Sequence, residues 1–420
     1  MSLLKLITPL FFVFHYSLLL FAQQIPHPFD SAHSIAMDGY IENGLIYTKS
    51  NEISFIEENI RAQLKYTVGQ FNGFNGVADL NRVDLTIKSI EQASDRSFKV
   101  TYRAKLFIAW SRANQRLTYF ELYLPRSTDW NALRIFYRQF GYSQCLDQNA
   151  HNVDAGIFWY YYRPDKRNCA VKNSNLSVTI PMTLSPSPEN TSNKSPEYDQ
   201  IWKDGQLILT AIFGKAESGS SSEFDAGTQG FKNTYRQLIQ EYGEPVVSNL
   251  SPGQIVSGNT PEIRVEFQSL IGPIKVNLFL VDQLQSAPAD FIEKYNELTK
   301  ISDFISYSGH SGLGANIRAL ANMGEFVTGQ YQIFLVNGCD TFAYVDNSLR
   351  DAHAKANPLA SPYKYFDLIT NAMPSYFYSN PRSVMTIVKA LSGSRKTYRE
   401  ILAEFDPVQK AVVIGEEDND

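Results

Sequence analysis

The sequence predicts a protein of two unlike parts: a β-rich α+β domain over residues 25–180 and an α/β domain over residues 200–405. Residues 181–199 are rich in Pro, Ser and Asn and nearly free of aliphatic residues, which is typical of a linker. Strand-like stretches precede this segment, and strands alternate with helices after it. Because the later strands are almost continuously apolar, we expect a mostly parallel sheet that is flanked by helices.

The beginning of the chain has the pattern of an export signal. Lys5 precedes an apolar stretch over residues 6–22, which predicts a signal peptide over residues 1–22. The alternative is an uncleaved membrane anchor, which Pro9, His15 and the short length of the stretch disfavour. No other apolar run is long enough to span a bilayer. We therefore expect a secreted, periplasmic or cell-envelope protein with no stable transmembrane segment after signal removal.

Composition limits the classes of partner and cofactor. The 420 residues carry a net charge of −5 and contain no long basic run, which argues against nucleic acid as a partner. The histidines are scattered without metal-ligand spacing, so we expect no metal and no cofactor. Residues 406–420 end in the run GEEDND, which predicts a solvated acidic tail.

The first domain is predicted mainly as strands. Residues 98–110 and 116–124 have strand composition and partial alternation, and residues 156–164 are assigned to a further strand. The aromatic cluster at 158–162 is interpreted as part of a packed sheet, with a binding face as the alternative. One helix is predicted over residues 128–141, because Gly141 ends its apolar pattern.

The three cysteines divide into a pair and a single residue. Cys145 and Cys169 lie close together in the first domain, and an oxidising compartment would allow them to form a disulfide. The alternative is two separate buried thiols. In either case Cys339 has no partner, and an unpaired Cys in an exported protein requires an explanation.

Two successive predicted strands of the second domain end in reactive residues. The stretch DFISYSGH ends at His310, and YQIFLVNGC ends at Cys339. One helix separates the strands, so a right-handed crossover would place them side by side. Their ends would then lie roughly 5–10 Å apart, given the spacing of strands in a sheet. This arrangement predicts a thiol–imidazole dyad at the carboxyl edge of the sheet.

Such a dyad has a defined chemistry. The thiolate attacks an acyl carbon, and the imidazole removes and later returns a proton. Backbone N–H groups must stabilise the oxyanion that forms. Gly309, Ser311, Gly312 and Gly338 surround the two reactive residues, and glycines allow close approach of the backbone to a substrate. The N–H of Cys339 and one from residues 311–312 are the candidate donors.

These two blocks resemble those of a peptidase clan. YSGHSG (307–312) and FLVNGCDT (334–341) are similar to the His and Cys blocks of the caspase-like cysteine peptidases of clan CD, such as gingipains, clostripain and metacaspases. The resemblance covers residues 200–405, approximately. It implies a caspase-like domain in which Cys339 is the nucleophile and His310 transfers protons.

Three positions differ from the pattern of the clan. Ser311 replaces the usual Gly after the His, and Asp340 follows the nucleophile where Ser or Arg is commoner. Asn337 lies where clan members that cleave after basic residues often carry an acid, so a basic preference is not supported. Asn337, Asp340 and Asp225 are nevertheless the candidate residues of a substrate pocket.

The sequence thus predicts an exported cysteine endopeptidase that hydrolyses protein or peptide substrates. One alternative is a catalytically inactive caspase-like scaffold that acts as a binding or envelope-associated protein, and another is an acyl- or peptidyl-transferase with the same dyad. Reactivity distinguishes the first two, because an activated thiolate alkylates quickly at neutral or mildly acidic pH and an inert buried thiol does not.

Overall fold

The computed structural model describes residues 28–93, 97–142 and 144–416. The predicted signal peptide and the last four residues of the predicted tail lie outside these ranges. Over the described residues the chain forms a nine-stranded mixed sheet, the large sheet, and a separate five-stranded antiparallel sheet, the small sheet. The protein is therefore of mixed α/β class, as the sequence predicts at this level.

The elements follow one another along the chain with short connections. The strands are β1 (Phe29–Asp30), β2 (Ser34–Thr48), β3 (Gly76–Gln92), β4 (Phe98–Ser111), β5 (Tyr119–Pro125), β6 (Ser177–Pro186), β7 (Leu207–Gly214), β8 (Val247–Ser248), β9 (Glu262–Gln268), β10 (Pro273–Val281), β11 (Phe304–Ser308), β12 (Gln332–Asn337), β13 (Phe366–Asn371) and β14 (Ala411–Ile414). The helices are α1 (Ile53–Leu64), α2 (Tyr66–Asn72), α3 (Trp130–Phe140), α4 (Phe158–Tyr161), α5 (Tyr198–Ile201), α6 (Ala226–Tyr242), α7 (Ala289–Thr299), α8 (Ala315–Met323), α9 (Thr341–Tyr344), α10 (Ser348–Ala356), α11 (Asn380–Leu391) and α12 (Tyr398–Ala403).

The small sheet has the strand order β3-β4-β2-β6-β5 and belongs to the predicted β-rich part. Helix α3 confirms the predicted helix near residues 128–141. The strand predicted over residues 156–164 is wrong, because its centre is the short helix α4. Phe158 and Trp159 of this helix are buried, and the buried Tyr162 follows it in an extended conformation.

Strand β6 extends the small sheet into the segment that was predicted as a linker. Ile180, Met182 and Leu184 alternate with exposed residues, and β6 pairs with both β2 and β5. The Pro and Ser residues of this segment hide the alternation when only composition is considered. The connection between the two halves therefore begins only after Pro186.

The centre of the large sheet is parallel, with the strand order β10-β7-β11-β12-β13. Its edges are antiparallel, with β9 and β8 on one side and β14 and β1 on the other. The strand order reverses between β7 and β11. In open α/β sheets, ligands bind beyond the carboxyl ends of the strands at such a point.

The two faces of the large sheet bury different helices. Along β12, Ile333 and Leu335 pack with α6, α11 and α12, whereas Phe334 and Val336 belong to a second core with α7, α8 and α10. This second core continues into the small sheet, where the ring of Phe107 lies 6.0 Å from that of Phe342. The two predicted domains therefore share this second core.

None of the helices in the described ranges has the length and apolar character needed to cross a membrane.

Candidate active site

The ends of two neighbouring parallel strands place the predicted dyad residues at equivalent positions. Ser308 of β11 pairs with Asn337 of β12, and His310 and Cys339 each follow two residues later. Both residues line one cleft, which has a volume of about 720 Å³. The structure therefore brings the two predicted residues to the same cleft at the carboxyl edge of the large sheet.

Both halves of the chain form the walls of this cleft. The second half supplies residues 309–313 and residues 373–377, which follow β11 and β13. The first half supplies the end of α2 and the segment from 147 to 163. The lining side chains from the first half are Asn72, Asn75, Asp147, Gln148, Asn149, His151, Asn152, Ile157, Tyr160, Tyr161 and Arg163.

The His310 ring is held in one orientation. Its Nε2 lies 2.9 Å from the carbonyl oxygen of Ala216. Because a carbonyl only accepts, Nε2 carries the proton of the neutral ring and Nδ1 is the proton acceptor. The ring also meets Phe377 edge to face, with 5.3 Å between centroids.

The backbone of His310 is fixed as well. Its carbonyl accepts hydrogen bonds from the hydroxyl of Tyr307 at 2.9 Å and from Nδ2 of Asn316 at 2.7 Å. Tyr307 lies on β11 and Asn316 on α8, so a strand and a helix both anchor the loop. The imidazole is therefore preorganised before any substrate binds.

Asp225 supports His310 from a distance instead of lining the cleft. Its carboxylate accepts from the N–H groups of Ala216 at 3.2 Å and Glu217 at 3.0 Å, and it caps α6 through Thr228 at 2.9 Å. Burial acts to raise the pKa of Asp225, but these N–H groups outweigh it and hold the pKa below its ordinary value. Asp225 thus fixes the turn that presents the Ala216 carbonyl, and it is not among the residues that line the cleft.

Cys339 is a half-buried residue whose side chain lines the cleft. Burial, and then the carboxyl of Asp340, raise the pKa of this thiol to about 12, while the hydroxyl of Tyr160 acts in the opposite direction. The side chain is therefore a protonated thiol at neutral pH. This direction is opposite to the activated thiolate that a resting ion pair would give.

Asp340 follows the nucleophile in a left-handed conformation, with φ at 47°. Its side chain is fully buried and accepts a hydrogen bond from Nδ2 of Asn72 at 3.0 Å. Burial raises the pKa of Asp340 to about 7, and Tyr160 and Asn72 oppose this shift. Asp340 therefore connects the nucleophile turn to α2, and it is not a pocket residue. Backbone strain of this kind is often found at functional sites.

Asn337 belongs to a buried amide network beneath the site. Its Nδ2 donates to Asn380 at 3.0 Å, and its Oδ1 accepts from Asn371 at 2.7 Å. Nδ2 of Asn371 also donates to the carbonyl of Gly338 at 3.2 Å. Asn337 thus stabilises the turn before Cys339 and does not line the cleft, contrary to its prediction as a pocket residue. Sequence reasoning missed Asn371, although it ends the third of three neighbouring strands.

The glycine-rich loops allow the two strand ends to approach each other. A Cβ atom at Gly338 would lie 2.8 Å from the carbonyl oxygen of Gly309 and 3.2 Å from the nitrogen of Ser311. The N–H of Gly309 donates to Asn337 at 3.1 Å and is not available to a substrate. Among the described residues, the N–H of Cys339 has no hydrogen-bond partner, so it stays a candidate oxyanion donor together with those of Ser311 and Gly312.

A disulfide closes the segment that forms the opposite wall. Cys145 and Cys169 are bonded, which confirms the predicted pair. Within this segment, α4 places Tyr160 and Tyr161 beside Cys339, and burial and the charges of Asp340 and Cys339 raise the pKa of Tyr160. Sequence reasoning favoured a packed sheet here, and only its alternative, a binding face, pointed to these two residues.

A group of acidic side chains lies at the opposite end of the strands of the large sheet, away from the cleft. Glu197, Asp367 and Glu416 have carboxylate oxygens within 4.8 Å of one another. Asp367 is the second residue of β13, whereas the cleft lies beyond the carboxyl ends of the strands. Asp367 accepts from the hydroxyls of Tyr331 and Tyr398. Burial raises the pKa of this carboxyl well above its ordinary value, which is typical of a protonated acid in a buried network.

Comparisons with known proteins give no family for the chain. No protein-family model matches it, and no curated protein shows significant similarity to it. The function of the cleft is therefore inferred from its residues and their geometry.

Proposed function

We propose that the protein is an exported cysteine endopeptidase of caspase-like type, with Cys339 as nucleophile and His310 as proton-transfer residue. One observation carries the proposal: neighbouring parallel strands project the two residues from equivalent positions into one cleft. The disulfide and the predicted signal peptide support export. The parallel order β10-β7-β11-β12-β13 with helices on both faces supports the caspase-like assignment.

The fixed ring of His310 suits it to act as a general base. In the proposed reaction, Nδ1 takes the proton from Sγ of Cys339 as Sγ attacks the peptide carbonyl carbon. The C–N bond then breaks, and the leaving amine takes the proton from His310. Water attacks the resulting thioester and gives one proton to His310, which returns it to the thiol as the acid product leaves.

The high pKa of Cys339 defines when the proton moves. The thiol is protonated at rest, so proton transfer to His310 accompanies the attack instead of preceding it. In this proposal the N–H of Cys339 stabilises the oxyanion that develops at the same moment. The enzyme is therefore expected to react with a bound acyl group much more readily than with a small alkylating reagent.

Cleavage of a defined set of peptides tests the proposal. The purified mature chain is incubated with a mixture of unstructured peptides, and mass spectrometry identifies the products. Cys339→Ala and His310→Ala should each reduce the cleavage rate by roughly 10³-fold, as loss of one member of a catalytic unit does. His33→Ala is the matched control, because His33 lies outside the cleft. Cleavage that is unchanged in Cys339→Ala would refute the peptidase.

A second candidate function is a binding module on an inactive scaffold. The raised pKa of Cys339 and the position of Tyr160 beside it favour this candidate. It predicts that peptides bind in the cleft and are recovered intact. Fluorescence anisotropy with the same peptides would show equal binding by the wild-type chain and Cys339→Ala, without any loss of signal over time.

A further inference from the structure

The charges in the cleft lead to an inference about the substrate, which rests on the proposed peptidase activity. We propose that the enzyme cleaves after uncharged residues with apolar or aromatic side chains. Cys339 and His310 both lie inside the cleft, so the residue that supplies the scissile carbonyl must place its side chain among the residues of the lining. The electrostatics of the lining therefore decide which side chains are accepted.

The acid of the lining already has a cationic partner. Of the described residues that line the cleft, Asp147 is the only Asp or Glu and Arg163 the only Lys or Arg. One carboxylate oxygen of Asp147 accepts from Nη1 of Arg163 at 2.7 Å, and the other accepts from the N–H of Asn149 at 2.8 Å. No carboxylate in the lining is left to pair with a Lys or Arg side chain.

The base of the lining is occupied in the same way. Nε and Nη2 of Arg163 donate to the two oxygens of Asp165 at 3.0 and 2.9 Å, while its Nη1 donates to Asp147. Lys166 lies next to this group and donates to the carbonyl of Leu146 at 2.7 Å. These two cations and two carboxylates sum to zero charge. The group therefore offers no net attraction to an acidic side chain or to a basic one.

The geometry of this group is fixed by the backbone. Leu146 and Tyr162 form an antiparallel bridge, and the N–H of Arg163 donates to the carbonyl of Cys145 at 2.8 Å. The disulfide of Cys145 closes the same end of the segment. Since the backbone positions of Asp147 and Arg163 are held in this way, the pair is not expected to separate when a charged side chain enters.

Apart from this pair, the lining holds amide and hydroxyl groups such as Asn72, Asn152 and Ser375, together with rings that suit an apolar or aromatic side chain. Tyr160 and Tyr161 face the site from one wall, and Met373, Tyr376 and Phe377 face it from the other. A charged side chain placed here would lose water without gaining a counter-ion, which is costly. An uncharged side chain gains contact with the rings at no such cost. The cleft thus selects by excluding charge.

Thiol-directed probes with matched side chains test the inference. The probes are peptidyl acyloxymethyl ketones that differ only at the residue next to the reactive group. One matched pair carries norleucine or Lys at this position, and a second pair carries Leu or Asp. The norleucine and Leu probes should modify Cys339 at least about tenfold faster than their charged counterparts, given the cost of burying an unpaired charge. Equal or faster modification by the Lys or Asp probe would overturn the inference and leave the peptidase standing. If no probe modifies the native protein, while iodoacetamide modifies the denatured chain, the proposed function fails as well.

A charge-pair variant gives a second, independent test. Arg163→Gln leaves the carboxylate of Asp147 without its counter-ion. The rate at which the Lys probe modifies Cys339, relative to that of the norleucine probe, should therefore rise at least about tenfold. Adding Asp147→Asn should remove this gain, and Arg163→Lys should not produce it. No gain in a folded Arg163→Gln protein, judged by circular dichroism, would contradict the assignment. If that variant does not fold, the ratios measured on the wild-type protein still decide the question.

Discussion

The reactivity of Cys339 toward iodoacetamide should be low and should keep rising with pH well into the alkaline range. Burial raises the pKa of this thiol to about 12, against about 8.5 for an ordinary thiol. The fraction of Cys339 that is thiolate at pH 8 is then about three orders of magnitude lower than that of an ordinary thiol. A thiolate of higher pKa is more nucleophilic, with a Brønsted slope of about 0.4–0.5, which restores roughly 25–55-fold. The net labelling rate should therefore be about 40–100-fold below that of a free thiol.

The assay is favourable because the disulfide leaves Cys339 as the single titratable thiol. Intact mass spectrometry of timed samples between pH 6 and pH 10 gives one rate constant per pH value. The rate should rise about tenfold per pH unit without a plateau, since the whole range lies below the thiol pKa. The chain unfolded in urea without reductant provides the reference rate of an accessible thiol.

Rapid labelling near pH 6 that is lost in His310→Ala would refute this reasoning. It would show that the thiolate and the imidazolium already exist as an ion pair in the resting protein. The Cys339 proton would then move before a substrate binds, and the burial that the structure assigns to the thiol would not control its ionisation.

Three further changes have expected outcomes. Tyr160→Phe should slow the labelling of Cys339 by roughly fourfold at pH 9. Loss of a hydrogen bond worth about 1.5 kcal/mol lowers the thiolate fraction about tenfold, and the higher nucleophilicity of the remaining thiolate restores about threefold. Asp225→Ala should lower the free energy of unfolding in urea by about 1–2 kcal/mol, because the helix cap is lost. It should also lower kcat with a smaller change in KM, because the turn that orients His310 loosens. Asp303→Asn should flatten the pH dependence of the free energy of unfolding. Burial raises the pKa of Asp303 to about 7, so the native state keeps a proton that the unfolded chain loses near pH 4. The free energy of unfolding of the wild-type protein therefore falls by up to about 4 kcal/mol between pH 4 and pH 7.

Each of these outcomes has a contrary result. Faster labelling in Tyr160→Phe would mean that the hydroxyl of Tyr160 shields the thiol and does not stabilise its anion. A loss of stability in Asp225→Ala with unchanged kcat would limit Asp225 to the helix cap. A stability profile of Asp303→Asn that runs parallel to that of the wild-type protein would assign the pH dependence to other buried acids, such as Asp79, whose pKa burial also raises to about 7.

The strands that carry the dyad were predictable because their signal is local. Residues 304–308 and 332–337 are uninterrupted buried strands, and each is followed within two residues by its reactive side chain. The helix at Phe158–Tyr161 was missed because a run of aromatic residues also suits a strand. The placement of Tyr160 beside Cys339 depends on tertiary packing, for which the sequence carries no local signal.

Other features had a signal that was not used. Asp225 stands directly before α6, where a helix-capping residue is expected. Recognising this cap would have assigned Asp225 to the helix and not to a pocket. The alternation of Ile180, Met182 and Leu184 likewise identifies β6 despite the prolines around it. By contrast, the pairing of Asp147 with Arg163 requires the fold, because both residues have several possible partners nearby.

The pairing of β1 with β14 has a consequence for the order of folding. The hydroxyl of Ser31 donates to the carbonyl of Ala411, which lies 380 positions further along the chain. Such a contact closes a very long loop, and long-range pairings of this kind form late. A chain that emerges from its N-terminus would hold Phe29 without its strand partner until almost all the other elements have appeared. Until then β13 exposes an unpaired edge, so a chaperone that covers this edge would protect the unfinished protein from aggregation.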